Sequence, residues 1–269
     1  MADRGASFAA MAGQVRLEID GPIATITNDH DEKHNAFDDD MDAQLFEILG
    51  ELKARPDVRA IVWRGEGRSF SSGRDVGSIG TVKVELSHHE LMRRGHRGIQ
   101  QLWEIDAPVF VACKGWVMGG SFQRALLCDV RVAAEGTRFR LPELTHGVIP
   151  DTGGISVLHA MCGHGVVSDM VLTGRVMEAD EALHHGIVSR VVPPDELDET
   201  VYEMALQVAR APAVTVKMAR LLIAHLSRPA IRASMDDEMV FQTFVNRSDD
   251  LAELRAARAE GREPRYTGS

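Results

Sequence analysis

The stretch Gly115-Trp116-Val117-Met118-Gly119-Gly120-Ser121-Phe122-Gln123 constrains this chain more than any other. Before it, Pro108 to Cys113 is an apolar run of strand length. After it, Phe122 to Leu127 carries a helical apolar pattern. The pattern predicts a buried strand, a glycine turn and a helix start in immediate succession. Glycines in such a turn let backbone N–H groups approach a ligand, and the first N–H groups of a helix have no partner within it. A turn of this kind can hold an oxyanion. Two carboxylic acids follow, Glu143 after Pro142 and Asp151 after Pro150.

The preceding residues place that turn inside an α/β unit. Val15 to Asp20 and Ile23 to Thr27 alternate apolar and polar residues around Gly21-Pro22, which predicts a β-hairpin. Met41, Leu45, Ile48, Leu49 and Leu52 form one helical face behind the N-cap candidates Asp38 to Asp40, and Arg55-Pro56-Asp57 ends that helix. Arg59 to Arg64 reads as a short buried strand, so the segment reads strand, crossover helix, strand. Residues 77–90 show no clear period, and Leu91 to Trp103 is helical in pattern. Asp129 to Ala134 and Ile187 to Val192 read as strands. A second glycine turn at Gly153-Gly154 leads into an apolar segment, Ile155 to Met161, with a separate helix around Ser168 to Leu172. Beyond residue 195 only helical patterns occur, Leu197–Ala211, Val214–Leu226 and Asp236–Val245, followed by a charged Ala/Arg/Glu run.

Several alternatives fail on the residues. Gly65 and Gly67 suggest a dinucleotide loop, but Phe70 stands where the third glycine is needed. The histidines and acids between Asn28 and Phe37 lack the spacing of known metal sites, and no G-x-S-x-G elbow surrounds Ser121. The three cysteines, Cys113, Cys128 and Cys162, are scattered among apolar residues and read as reduced and buried. A formal net charge of -10 argues against a general nucleic-acid or acidic-membrane surface. No apolar stretch is expected to approach the roughly 20 residues of a membrane span, and the expectation is a cytoplasmic protein.

Taken together, these residues resemble the enoyl-CoA hydratase/isomerase (crotonase) family. The resemblance is carried by Asn28 to Ala36, Ser69 to Asp75, Val117 to Gly120 with Cys128-Asp129, Leu141-Pro142-Glu143 with Gly147 to Pro150, and Ala182 to Val188. It implies a crotonase-type spiral of β-β-α turns over residues 14–195 and a helical C-terminal trimerisation part over 196–269, assembled as a homotrimer or a dimer of trimers. It implies an acyl-CoA substrate, no further cofactor and no metal. The thioester oxygen would be held by the backbone N–H groups of Arg74 and Gly120. The CoA portion would lie along Lys33, Ala36, Ser72, Asp75 and Val76, with Arg68 a further phosphate contact. The side chain of Arg74 is read either as a surface arginine or as a phosphate contact.

The chain departs from the family's hydratases at one position. Those enzymes place a glutamate where Gln123 stands and a second in the Pro-Glu element, here Glu143. A glutamine can orient water or a carbonyl but exchanges no proton with either. The resemblance therefore implies an isomerase- or hydratase-type enzyme working through an enolate, with Glu143 as a single acid/base. Asp151 stands at the spacing of a second acid in the dienoyl-CoA isomerases, and a turn or N-cap role fits it equally. Two alternatives remain: hydration of a 2-enoyl-CoA with Gln123 positioning water, and a non-catalytic acyl-CoA binder.

Overall fold

The computed structural model describes residues 13–75, 77 and 87–269. Strands β1 (Gln14–Asp20) and β2 (Ile23–Asp29) form the expected antiparallel hairpin, in register from Gln14↔Asp29 to Asp20↔Ile23. The Asp38 carboxylate accepts from the N–H groups of Asp40 and Met41 and so starts α1 (Asp39–Lys53), a cap typically worth about 1 kcal/mol. α1 buries Met41, Leu45, Leu49 and Leu52 and returns the chain to β3 (Ala60–Gly65), parallel to β2. α2 (His88–Gln100) then opens with a reciprocal cap between Ser87 and Glu90, three residues earlier than the apolar pattern predicted.

β4 (Val109–Cys113) is followed by β5 (Trp116–Met118), α3 (Gly119–Leu126), β6 (Val130–Ala134) and β7 (Arg138–Arg140). Then come α4 (Gly154–Thr173), β8 (Val176–Glu178), α5 (Ala179–His184) and β9 (Arg190–Val192), and three helices close the chain, α6 (Leu197–Ala209), α7 (Ala213–Val245) and α8 (Asp249–Glu260). A six-stranded sheet has the order β1-β2-β3-β4-β6-β9, parallel after the hairpin, and a three-stranded sheet has the order β5-β7-β8. The large sheet is covered on both faces, which is why β3 and β4 read as continuous apolar runs. One face meets α1 and the main core. The other packs Ile23, Val62, Phe110 and Val132 against Leu197, Val201 and Ala205 of α6, so the helical part is joined to the sheet.

The small sheet alternates. Val117, Phe139 and Met177 are fully buried on its inner face, which puts Met118 and Arg140 on the other. Its three-residue strands are too short to show a period in sequence, and none was expected.

Four further expectations change. The two segments predicted around 155–161 and 168–172 belong to one element, α4, which Gly163 breaks at φ 74, ψ 173. By length and composition α4 is apolar enough to cross a membrane, contrary to the expectation that no stretch approaches that length. Val157, Leu158, Val167 and Met170 of α4 pack into the core. The strand expected over Ile187–Val192 shortens to β9, because the N–H groups of Ile187 and Val188 bond to Ala182 O and finish the turn after α5. The helices predicted at 214–226 and 236–245 are one 33-residue helix that runs through Pro229. A proline inside a helix costs about 3 kcal/mol. Arg228 and Arg232, on either side of it, both stack on Trp103, and Arg228 also donates to Trp103 O, which holds the two halves in line. Cys113 and Cys128 are buried as expected, whereas Cys162, expected to be buried too, is only partly so; burial pushes the Cys113 thiol up to about 12.

Candidate active site

The loop after β3 is stitched to β5. Ser71 N–H donates to Trp116 O and Met118 N–H donates to Ser71 O, each at 3.0 Å. The Ser71 hydroxyl donates to Asn35 O at 2.6 Å, accepts from Gly73 N–H at 3.1 Å and meets Ser121 Oγ at 2.7 Å. Gly73 has φ +92, and a Cβ there would lie 2.7 Å from Met118 O, so only glycine fits. The neighbouring bonds Phe37 N–H to Gly73 O and Asp75 N–H to Phe37 O leave the N–H of Arg74 on the opposite side. That N–H, and the N–H of Gly120 in the first turn of α3, have no acceptor among the described residues.

Arg74 and Gly120 line one cavity of about 560 Å³, together with Met118, Gly119 and Glu143. Lys33, Ala36, Ser72 and Asp75, the residues assigned to CoA, line it too. Val76 lies outside the described residues. The Lys33 ammonium sits 2.7 Å from Asp75. The hydrogen bond between them lifts the Lys33 pKa and lowers that of Asp75. The Arg74 guanidinium pairs with Asp39 and, at 2.9 Å, with Asp42, so the phosphate reading of that side chain is replaced by an internal ion pair. Arg68 donates to the carbonyls of Asp31 and Glu32 and is absent from the cavity wall. His34 and Asp31, from the loop considered for a metal, are bonded to Ser69 and to Arg68 N–H.

Glu143 begins a short 3-10 turn after Pro142 and is only 8% exposed. Its Oε1 accepts from Gln123 Nε2 at 2.8 Å, while its Oε2 is buried with no hydrogen-bond partner among the described residues. Burial pushes the Glu143 carboxyl up to about 7. The nearby Asp151 adds to this, and the hydrogen bond from Gln123 opposes it.

Gln123 is fully buried and absent from the cavity wall. Its Oε1 accepts from Thr152 N–H at 2.8 Å and from Gly154 N–H at 3.4 Å, which fixes which end of the amide faces Glu143. The alternative in which Gln123 positions water is not favoured by this geometry. Both ends of its amide are engaged, and it holds Glu143.

Asp151, read either as a second acid or as a turn residue, is likewise absent from the cavity wall, which agrees with the turn reading. Its carboxyl is raised by burial, an effect that His96 and Arg124 oppose, and its carbonyl bonds to the His96 ring. Sequence reasoning missed Glu238 of α7. Its carboxyl accepts from Gly153 N–H at 2.8 Å and from Ser234 Oγ at 3.0 Å, and burial pushes it up to about 7. It also missed Arg140, Thr145, His146 and Val148, which complete the wall beside Glu143. The alternation of β7 could have flagged Arg140, but three residues are too few to reveal it.

The sequence profile of the family described as Enoyl-CoA hydratase/isomerase matches residues 18–269. The chain belongs to the enoyl-CoA hydratase/isomerase family. Carnitinyl-CoA dehydratases of Salmonella heidelberg and Salmonella typhimurium are each 33% identical over 263 residues, covering 96% of this chain and 100% of theirs. The crystal structure of an enoyl-CoA hydratase/isomerase from Pseudoalteromonas atlantica superposes with a TM-score of 0.86 at 27% identity, over 94% of this chain and 100% of that one. An enoyl-CoA hydratase subunit from Geobacillus kaustophilus gives 0.74 at 28% identity, over 95% and 98%. The crotonase fold expected from the sequence is thus the observed one, and the protein is an enzyme of a family that acts on acyl-CoA substrates.

Proposed function

We propose that this crotonase-family enzyme moves a proton on an acyl-CoA thioester through an enolate, with Glu143 as its only acid/base. One observation carries the reading. Glu143, whose buried Oε2 has no hydrogen-bond partner among the described residues, lines the same cavity as Arg74 and Gly120, whose N–H groups have no acceptor among them. A thioester oxygen seated on those donors gains negative charge as the α proton leaves, and each preorganised donor favours the enolate by about 3 kcal/mol. A carboxyl with a pKa of about 7 can take that proton and return it near neutral pH. Returned at the γ carbon, the proton completes the shift of a 3-enoyl double bond to position 2.

The dehydratase name of the Salmonella relatives favours a second use of the same oxygen. There the α C–H bond breaks, the C=C bond forms, the β C–O bond breaks and Glu143 hands its proton to the departing hydroxide as water. Incubation with 2-enoyl- and 3-enoyl-CoA, followed by the absorbance of the conjugated thioester, separates the two. Isomerisation makes that signal from the 3-enoyl compound, whereas hydration bleaches it in the 2-enoyl one. No change with either compound, in a folded sample, overturns both.

The reading extends to assembly as a trimer, supported by the exposed apolar residues Leu222, Ile223, Leu226, Phe241 and Phe244 of α7. A monomer by light scattering at working concentration would remove it.

A further inference from the structure

The cavity wall beside Glu143 holds a positive charge that the proton chemistry does not use. Three cations line the cavity. Lys33 is matched by Asp75, and Arg74 by Asp39 and Asp42. Arg140 has no carboxylate partner among the described residues. Its Nε donates at 2.5 Å to the carbonyl of Gly174, the left-handed residue that closes α4, so the backbone holds the guanidinium in place and its Nη groups remain available. Half-buried, it stands next to Met118 across β5 and β7, on the cavity face of the small sheet.

His146 shares this part of the wall. Its Nδ1 is buried with no hydrogen-bond partner among the described residues. Burial lowers its pKa, as do Arg258 and Arg140, so the ring is neutral at pH 7 and can donate or accept. Arg258 of α8 donates to Thr145 O and adds a positive charge that acts on the His146 ring. Of the two carboxyls that line the cavity, Asp75 is matched by Lys33, and Glu143 is only partly ionised near pH 7.

An Arg140 guanidinium without a carboxylate partner among the described residues and the neutral His146 ring, both lining one cavity, match the charge and hydrogen-bonding needs of a carboxylate. We propose that Arg140 and His146 form a subsite for the far end of the acyl group, and that the preferred substrates are CoA thioesters whose acyl chain ends in a carboxylate. This rests on the acyl-thioester reading above. It places the selection of substrate on β7 and the turn after it, apart from the oxyanion donors. It also sets the chain against acyl groups that end in a cation.

Calorimetric binding of three thioesters to the full-length protein tests it: glutaryl-CoA, hexanoyl-CoA as its methyl-ended counterpart, and carnitinyl-CoA, whose acyl group carries a trimethylammonium. Glutaryl-CoA is expected to bind at least about tenfold more tightly than hexanoyl-CoA, which is about 1.4 kcal/mol. Carnitinyl-CoA is expected to bind more weakly than either. Arg140→Met, checked for native circular dichroism, should erase the preference while leaving hexanoyl-CoA within about twofold of the wild type. Arg140→Lys should keep part of the preference.

Equal affinity for glutaryl- and hexanoyl-CoA overturns the subsite and leaves the acyl-thioester reading intact. Equal weakening of all three thioesters and of free CoA by Arg140→Met also overturns it, since Arg140 would then be holding the CoA portion. Failure of every thioester to bind a folded sample overturns the acyl-thioester reading and the subsite with it.

Discussion

Replacing Glu143 by glutamine tests the proposed acid/base and the electrostatics of the site in one variant. The side chain is 8% exposed, and burial lifts its carboxyl from an ordinary 4.5 to about 7. Between those values the folded protein holds a proton that the unfolded chain has already lost, so this group makes stability fall as pH rises. The full loss is about 3 kcal/mol above pH 7, and about 2.5 kcal/mol of it develops between pH 5 and pH 8. Glutamine keeps the shape and can still accept from Gln123, but it puts an amide nitrogen or oxygen at the unpartnered Oε2 position. The protonated wild-type carboxyl leaves that position unsatisfied as well, so near pH 5 the penalty of about 1–3 kcal/mol for a buried unpaired group is shared by both proteins.

The variant is therefore expected to gain about 2.5 kcal/mol on the wild type between pH 5 and pH 8, or roughly 5–10 °C in relative melting temperature. Glu238 titrates in both proteins and cancels in the comparison. Asp151, freed of its charged neighbour in the variant, ionises more easily in the fold, which works in the same direction. Urea unfolding at the two pH values, beside turnover of an enoyl-CoA, supplies both readouts. A stability difference that does not change with pH refutes the raised carboxyl, and wild-type turnover by the variant refutes the catalytic role.

Three other outcomes follow from the same geometry. The pH profile of kcat/KM should rise as one group loses its proton near pH 7, because Glu143 must be ionised to take the α proton; a flat profile from pH 5.5 to 8.5 would exclude it. Gly73→Ala forces a Cβ to within 2.7 Å of Met118 O at φ +92. It should cost about 1–3 kcal/mol of stability and, by moving the Arg74 donor, about a hundredfold in kcat; an unchanged kcat would mean that this N–H does not contact the thioester. Gln123→Glu puts a second carboxyl 2.8 Å from Glu143 Oε1, so the pair should titrate with its upper step above 7 and shift the kcat/KM rise to higher pH by about one unit. Titration at the wild-type pH would show that the two carboxyls do not interact.

Most of what positions the site was readable because it depends on short-range patterns. The hairpin, α1 with its Asp38 cap, and the strand and helix on either side of the Gly119-Gly120 turn each declare themselves within one local stretch of sequence. The small sheet was not readable, since β5, β7 and β8 have three residues each and owe their pairing to the rest of the fold. Pro229 concealed the continuity of α7, because local propensity counts the missing N–H and not the Trp103 stacking that offsets it. Glu238 was out of reach for a different reason. It lies 85 residues from Gly153, its backbone partner, and a lone glutamate on a polar helical stretch has no local mark of burial.

Gln123 was readable as a departure and unreadable as a mechanism. Its identity removes a carboxyl from the site, but only the structure shows what the amide does in its place. Two N–H groups at the start of α4 occupy its oxygen, and its nitrogen donates to Glu143 Oε1. A glutamate here would still find those two N–H donors, yet its second oxygen would face Glu143 Oε1 with a proton to share or a charge to repel. The amide removes that competition. It leaves Oε2 as the Glu143 oxygen with no hydrogen-bond partner among the described residues, the oxygen to which the proposed proton transfer is assigned. Moving a double bond along an acyl chain needs no more than that oxygen. Adding water also needs something to place the water, and with Gln123 engaged at both ends that role would have to fall to the substrate or to another group on the wall.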